Sequence, residues 1–320
     1  MNDMMFFIYQ MMLFGGASAL TRFFTRLNSA LTQYYTIPTW TASGDFEIRF
    51  DIYVSSWGGY TILGDITSSD VIRFTDASTI VIQDSTGFVF VTLDSDLPIN
   101  QLITINYKWE GQVVSVSASS GQVGVTDAER FHDPVSFTTI GSNAGSFFVD
   151  GYLANVSLTE SGGDNRFYAL DEDLSTTSTI IDSIGGNNGT AVNVVESQLF
   201  TQVGSDWEGV ELWTLPAYIF TGVEGSGEIP QSSNILISGS VYKTMFSGSG
   251  SNVGIVTGAS GSTRGLIGNQ NVFADGNPFN VTSVDTAGSV TARWQVNGSP
   301  PFSGIVGIDS VKELLEVASS

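Results

Sequence analysis

From Thr36 onward, apolar residues recur at every second position along much of the chain. Phe46, Ile48, Phe50, Ile52 and Val54 alternate with Glu47, Arg49, Asp51 and Tyr53, the pattern of a strand with one buried face. The same period predicts strands over 60–63, 71–74, 79–83, 88–93, 102–109, 113–118, 137–140 and 152–158. Turn residues such as Asp84-Ser85-Thr86-Gly87 and Glu110-Gly111 separate them. Many short strands at close spacing predict an antiparallel β-sandwich over residues 36–160. After Trp207 the alternation resumes over 209–213, 217–220, 235–241, 254–256, 281–284, 290–296 and 305–315, predicting a second sandwich over 207–320. Residues 161–206 read as a connector that adds strands to one sheet.

Residues 1–35 follow another pattern. Residues 4–14 are apolar except for Gln10, and counting on to Leu20 gives 17 residues, the lower end of what crosses a bilayer. Gly15-Gly16 interrupts the run. Ala17-Ser18-Ala19 resembles a leader cleavage site, but Asp3 stands where such leaders carry basic residues, so no secretion leader is expected. Leu13, Ala17, Leu20, Phe24, Leu27, Leu31 and Tyr34 fall at spacings of four and three, a heptad seam. That seam predicts an amphipathic helix ending before Ile37-Pro38. Such an arm would dock into a partner, form a homo-oligomer (a trimer ahead of a dimer because Phe24 suits a two-stranded coil poorly), or pack on its own domain. A membrane anchor is the lesser reading. The expected fold class is therefore all-β, two tandem antiparallel jelly-roll sandwiches behind an amphipathic helical arm.

Composition sharpens this picture. Glycine is abundant at 36 residues and charged residues make up 13%, which suits strands and tight turns. The formal net charge of −21 repels phosphate backbones and disfavours nucleic acid as a partner. With no cysteine, disulfides, zinc-thiolate sites and cysteine nucleophiles are excluded.

Candidate chemistry is sparse. His132, the single histidine, lies in the loop-like FHDP, and no strand–GxSxG–helix context accompanies it. Strand acids spaced Glu-x-Asp-x-Glu, as a sandwich glycosidase needs, are missing; Asp45, Glu47 and Asp51 come nearest. Asp171-Glu172-Asp173 offers carboxylates to calcium as a lesser reading, and no other cofactor or metal is implied. An enzyme is not expected. Saccharide binding by ring stacking remains, with Trp57 and Tyr60 flanking Gly58-Gly59 and with Trp294 as candidates.

Particular segments add a resemblance. FEIRFDIYV, ITINYKWEGQVVSVSAS with Tyr107 and Gly111, and TIGSNAGSFFVDGYLANVSL with Gly151, Leu153, Val156 and Leu158 resemble the laminin-G-like, concanavalin-A-like jelly roll. Residues 166–194 resemble a stretch found beside such domains. The tail ARWQVNGSPPFSGIVGIDSVKELLEV, with Phe302, Gly304, Ile308, Asp309, Val311, Lys312 and Leu314, resembles the last strands of carbohydrate-binding-module jelly rolls. The combination resembles bacteriophage fibre and decoration proteins. It implies a virion-surface protein that contacts other virion proteins through its arm and binds host-surface polysaccharide, or a purely architectural cementing protein.

Overall fold

The computed structural model describes residues 19–320, apart from 67–69, 130, 144, 221–226, 233–235, 260–270, 288–291, 298–302 and 320. Three sheets account for the strands. The middle sheet runs Val123–Asp127, Val113–Ala118, Ile103–Glu110, Phe46–Val54, Gly151–Glu160 and Arg166–Tyr168, with Arg26–Leu27 also paired to Gly151–Glu160. The outer sheet runs Thr179–Ile180, Gly189–Val192, Tyr34–Ala42, Val135–Ile140, Thr61–Gly64, Val71–Phe74, Thr79–Asp84 and Gly87–Thr92. The distal sheet runs Thr21–Phe24, Gln198–Val203, Asp206–Phe220, Ser303–Leu315, Val241–Ala259, Ala292–Asn297 and Gly227–Ser232, with Asn271–Thr286 beside Val241–Ala259.

Middle and outer sheets form the sandwich that the alternation predicts. Phe46, Ile48, Phe50, Ile52 and Val54 point from the middle sheet into one core shared with Tyr35, Trp40, Phe74, Ile82 and Phe137 of the outer sheet. Trp40 stacks on Phe137 at 6.1 Å, and Phe50 meets Phe74 edge-on at 6.3 Å. One backbone irregularity keeps this core in phase. Between Ala154 and Ser157 the strand Gly151–Glu160 carries an extra residue against Asp51 and Arg49. Asn155 there has φ of 51°, left-handed backbone that asparagine tolerates better than most residues. The bulge switches faces, so that Leu153 before it and Val156 and Leu158 after it all reach the same core.

The other face of the middle sheet is covered at one end by the distal sheet. Tyr53, Tyr152 and Ala154 there join Phe24, Phe200, Trp207 and Leu315 in a second apolar cluster, the seam. Phe24 packs edge-on against Phe200 and steeply against Trp207, each at 5.3 Å, and edge-on to Tyr152 at 6.4 Å. Beyond Leu315 the chain hooks back, Leu102 N–H donating to Glu316 O at 2.6 Å.

Four expectations change. The heptad seam is not a helix: residues 21–24 and 26–27 are strands and Ser29–Leu31 is one 3-10 turn. Leu20 and Leu31 are 60% and 57% exposed whereas Phe24 and Leu27 are fully buried, which no single helical face produces. Thr21, Phe23, Phe24 and Thr25 favour extended backbone, and the neighbouring strands complete their hydrogen bonds, outweighing the propensity of a short helix. Tyr34 opens an outer-sheet strand, and Leu13 and Ala17 lie outside the described residues. Among the described residues no helix is long and apolar enough to cross a membrane. Residues 161–206 add strands to all three sheets rather than one. Within 235–241, Leu236–Ser240 form a turn and the strand begins at Val241. The described strands after Trp207 are hydrogen-bonded into one sheet, which Thr21–Phe24 and Gln198–Val203 extend, not into the two separate sheets of a free-standing sandwich.

A helical arm and the observed strand make opposite demands on two residues. Phe24→Ala is expected to lower stability by about 3–5 kcal/mol, as for buried aromatics generally. Leu31→Ala should stay within about 0.5 kcal/mol of wild type. Urea unfolding of both variants checks this, and equal losses would restore the helical seam.

Candidate functional site

The three aromatic residues singled out for stacking occupy different settings. Trp57 is half-buried, packs 4.7 Å from Phe74, and donates its indole N–H to Leu97 O and Pro98 O, both at 3.0 Å. It fastens the 97–98 loop to the sandwich. Tyr60 is half-buried beside Gly58. Close to it Phe147 is 51% exposed, carries the Arg73 guanidinium over its ring at 5.1 Å, and accepts from Thr61 N–H at 2.8 Å. Trp294 belongs to the distal sheet, in register with Ile229 and Thr257, whereas Trp57 and Tyr60 lie in the loop between Phe46–Val54 and Thr61–Gly64.

A more enclosed site lies on the seam. Where the N-terminal segment crosses from the distal to the middle sheet, a cleft of about 300 Å³ opens, the small end of the range for ligand pockets. Phe24 and Tyr152 line it beside Arg26, Asn28, Gln33, Gln198 and Glu196, with Leu31, Val195 and Ile237 as its apolar walls. Local bonds hold these polar groups in place. Gln33 donates to Asn193 O at 3.1 Å and accepts from Asn28 N–H at 2.9 Å, and the Asn28 side-chain oxygen accepts from Ala30 N–H at 2.9 Å. Arg26 Nη1 donates to Ser240 Oγ at 3.0 Å, and its guanidinium lies 5.8 Å from the Tyr152 ring centre and 3.6 Å from Asp150.

Sequence reasoning marked Phe24 and Leu31, for another purpose, and missed Arg26, Asn28 and Gln198. Residues 24–33, 152, 195–198 and 237 meet only through sheet pairing, and no local motif announces that. A second cleft of about 340 Å³ also lies on the seam, lined by Asn100, Gln101, Asp285 and Glu316 with Ile99, Val241 and Val284. It has carboxylates but no aromatic lining. Burial, then the charge of Asp206, pushes the Glu316 carboxyl above its ordinary value.

The acidic turn 171–173 is committed to the fold. Glu172 accepts from Ile181 N–H at 2.7 Å, and burial raises its carboxyl above the usual range. Asp173 accepts from Ser175 N–H at 3.1 Å and from the Ser175 hydroxyl. Among the described residues no group of three or more His, Asp or Glu is placed to hold a metal ion. His132 likewise works as a staple: Nδ1 lies 2.7 Å from Asp133 O, Nε2 lies 2.8 Å from Gly44 O, and the ring sits 5.1 Å from both Phe46 and Trp109. It ties the 131–134 loop to the loop between Tyr34–Ala42 and Phe46–Val54. No motif around His132 in the sequence announces this role. His132→Ala should cost about 1–3 kcal/mol, since a carbonyl group loses its donor and the ring leaves its packing against Phe46 and Trp109. Guanidinium unfolding checks the value, and an unchanged midpoint would remove the staple.

No protein-family model matches the chain, and no curated protein matches it. Solved structures similar to it include a Bacteroides ovatus protein assigned provisionally to carbohydrate binding, 16% identical with a TM-score of 0.41. That alignment covers 57% of this chain and 60% of the Bacteroides chain, so this protein spans about three fifths of that relative's length. Domains LG4-5 of the mouse laminin α1 chain align over 92% of this chain and 84% of theirs, at 7% identity and a TM-score of 0.39. A heptameric SAP-like pentraxin from Limulus polyphemus aligns over 44% of this chain and 75% of its own, at 11% identity and a TM-score of 0.33.

Proposed function

We propose that the protein is a non-enzymatic saccharide-binding protein whose ligand sits in the seam cleft. The observation that carries this reading is the lining itself. Exposed apolar walls at Leu31 and Val195 stand beside planar polar side chains suited to hydroxyl groups, over a floor backed by the buried Phe24 and Tyr152 rings, and local bonds fix most of the polar groups before any ligand arrives. Glu196 is the one carboxylate in that lining, whereas sugar hydrolysis ordinarily uses two. Binding therefore fits the cleft better than catalysis does.

The exposed Phe147, with Arg73 on its ring and Tyr60 close by, supports a second reading in which an outer-surface platform stacks the sugar. The finer role, a bacteriophage fibre or decoration protein that carries host-surface polysaccharide specificity as a homo-oligomer, rests on the sequence resemblance. A purely architectural role without ligand is its rival. Co-sedimentation with intact particles and the mass in solution decide that finer role.

A glycan array with three proteins tests the binding reading. Val195 is 69% exposed at the cleft, so Val195→Trp fills the opening without disturbing a core. It should weaken binding about tenfold or more, roughly 1.4 kcal/mol. The double variant Tyr60→Ala/Phe147→Ala should bind as wild type does. The reverse outcome moves the site to the platform, and no binding by wild type leaves the architectural role.

A further inference from the structure

Glu313 lies on the distal-sheet strand Ser303–Leu315, 1% exposed, and reaches across the seam. Its Oε2 accepts from the Tyr152 hydroxyl of the middle sheet at 2.7 Å, and its Oε1 has no hydrogen-bond partner. The groups packed round it come from four segments. Tyr53 and Tyr152 belong to the middle sheet, and the Tyr53 hydroxyl accepts from Val241 N–H at 3.3 Å. Tyr242 of the distal sheet accepts from Ile237 N–H at 2.8 Å. Among the described residues, Arg26 of the N-terminal segment is the cation that acts on this cage. Its Nη1 is on Ser240 Oγ, and its Nη2 is 3.6 Å from Asp150. Glu316 faces Tyr53 from the following turn.

Burial raises the Glu313 carboxyl above its ordinary value, outweighing the opposing pull of Tyr152, Ser240 and Arg26. The phenols respond in kind: burial first, then the nearby carboxylate, pushes Tyr152 well up, and Tyr242 follows. An ionised Glu313 would be a buried charge met only by the Tyr152 and Ser240 hydroxyls, a costly arrangement. It is relieved when Arg26 leaves Asp150 for Glu313, or when the seam opens to water. The proton is bound more tightly closed than open. Closure is therefore fully supported below the ordinary glutamate value, and that support is lost as pH rises through the higher value of the closed seam.

We propose that Glu313 is a proton-operated latch on the seam, closed when its carboxyl is protonated and loosened when it ionises. Arg26 and Tyr152 belong to both the latch and the cleft, so they carry the change to the ligand. That last consequence rests on the saccharide reading; the latch does not.

Hydrogen exchange of the full chain tests it, following segments 151–154, 241–246 and 311–315 in wild type and in Glu313→Gln. Taking the ratio of the two proteins at each pH cancels the intrinsic pH dependence of exchange. Between about pH 5 and pH 8 the wild-type to variant ratio should rise about tenfold for each unit by which closure raises the carboxyl. A flat ratio overturns the latch. If Glu313→Gln does not fold, Tyr152→Phe takes its place. Losing the phenol donor should move the wild-type rise to higher pH, and an unmoved rise overturns the latch. Saccharide affinity measured over the same interval should fall in wild type and hold in Glu313→Gln. If no saccharide binds at any pH, the cleft reading fails while the exchange ratio still decides the latch.

Discussion

The structure depends on burying one end of the middle sheet on both faces. A sheet with a single covered face needs only alternation, and Phe46–Val54 supplies that toward the outer sheet. Its opposite face is polar and open at Glu47, Arg49 and Asp51 but becomes aromatic at Tyr53 and, on the next strand, Tyr152. Those two rings must be covered, and the distal sheet with the N-terminal segment covers them. Phe24, Phe200, Trp207 and Leu315 supply the apolar cover. Where the cover leaves a gap the cleft opens, and where a carboxyl is trapped beneath it Glu313 sits. The fold, the cleft and the buried carboxyl are consequences of one packing requirement.

The heavy negative charge also has a structural use. Several carboxylates accept backbone N–H groups inside turns, the work that helix caps perform in helical proteins. Asp182 accepts from Phe167, Ile184, Gly185 and Asn187 N–H at 3.0–3.1 Å. Burial opposes its ionisation, but those four donors together hold it below the ordinary aspartate value. Asp84 does the same for Thr86 and Gly87, and Asp76 for Ser78. In a chain of short strands without disulfides, such turns fix the loops that the sheets leave free.

What the sequence made legible follows from how local each signal is. Alternation over 46–54 and the apolar steps after Gly151 are short-range, and both strands stand where the pattern put them. The bulge at Asn155 explains why Val156 and Leu158, three and five residues after Leu153, still share its core. The N-terminal segment misled because spacings of three and four also arise when a strand, a break and a turn follow one another. Phe24 is buried through its pairing with Gln198, a partner 174 positions away that no window around Phe24 contains. Tyr53 read as a solvent-facing position because its cover comes from the far end of the chain. The cleft failed to show for the same reason. Arg26, Tyr152 and Gln198 share no motif, only a place in three dimensions.

The central claim is that the seam makes the sandwich and the distal sheet one cooperative unit. Scanning calorimetry of wild type and Leu315→Ala tests it most directly, because Leu315 is fully buried in the seam, does not line the cleft and does not belong to the sandwich core. The account predicts one transition in wild type, with equal calorimetric and van't Hoff enthalpies. In Leu315→Ala, about 2–5 kcal/mol of lost packing should separate that transition into two or lower it as a whole. Two transitions already present in wild type, with the substitution moving only one of them, would contradict it.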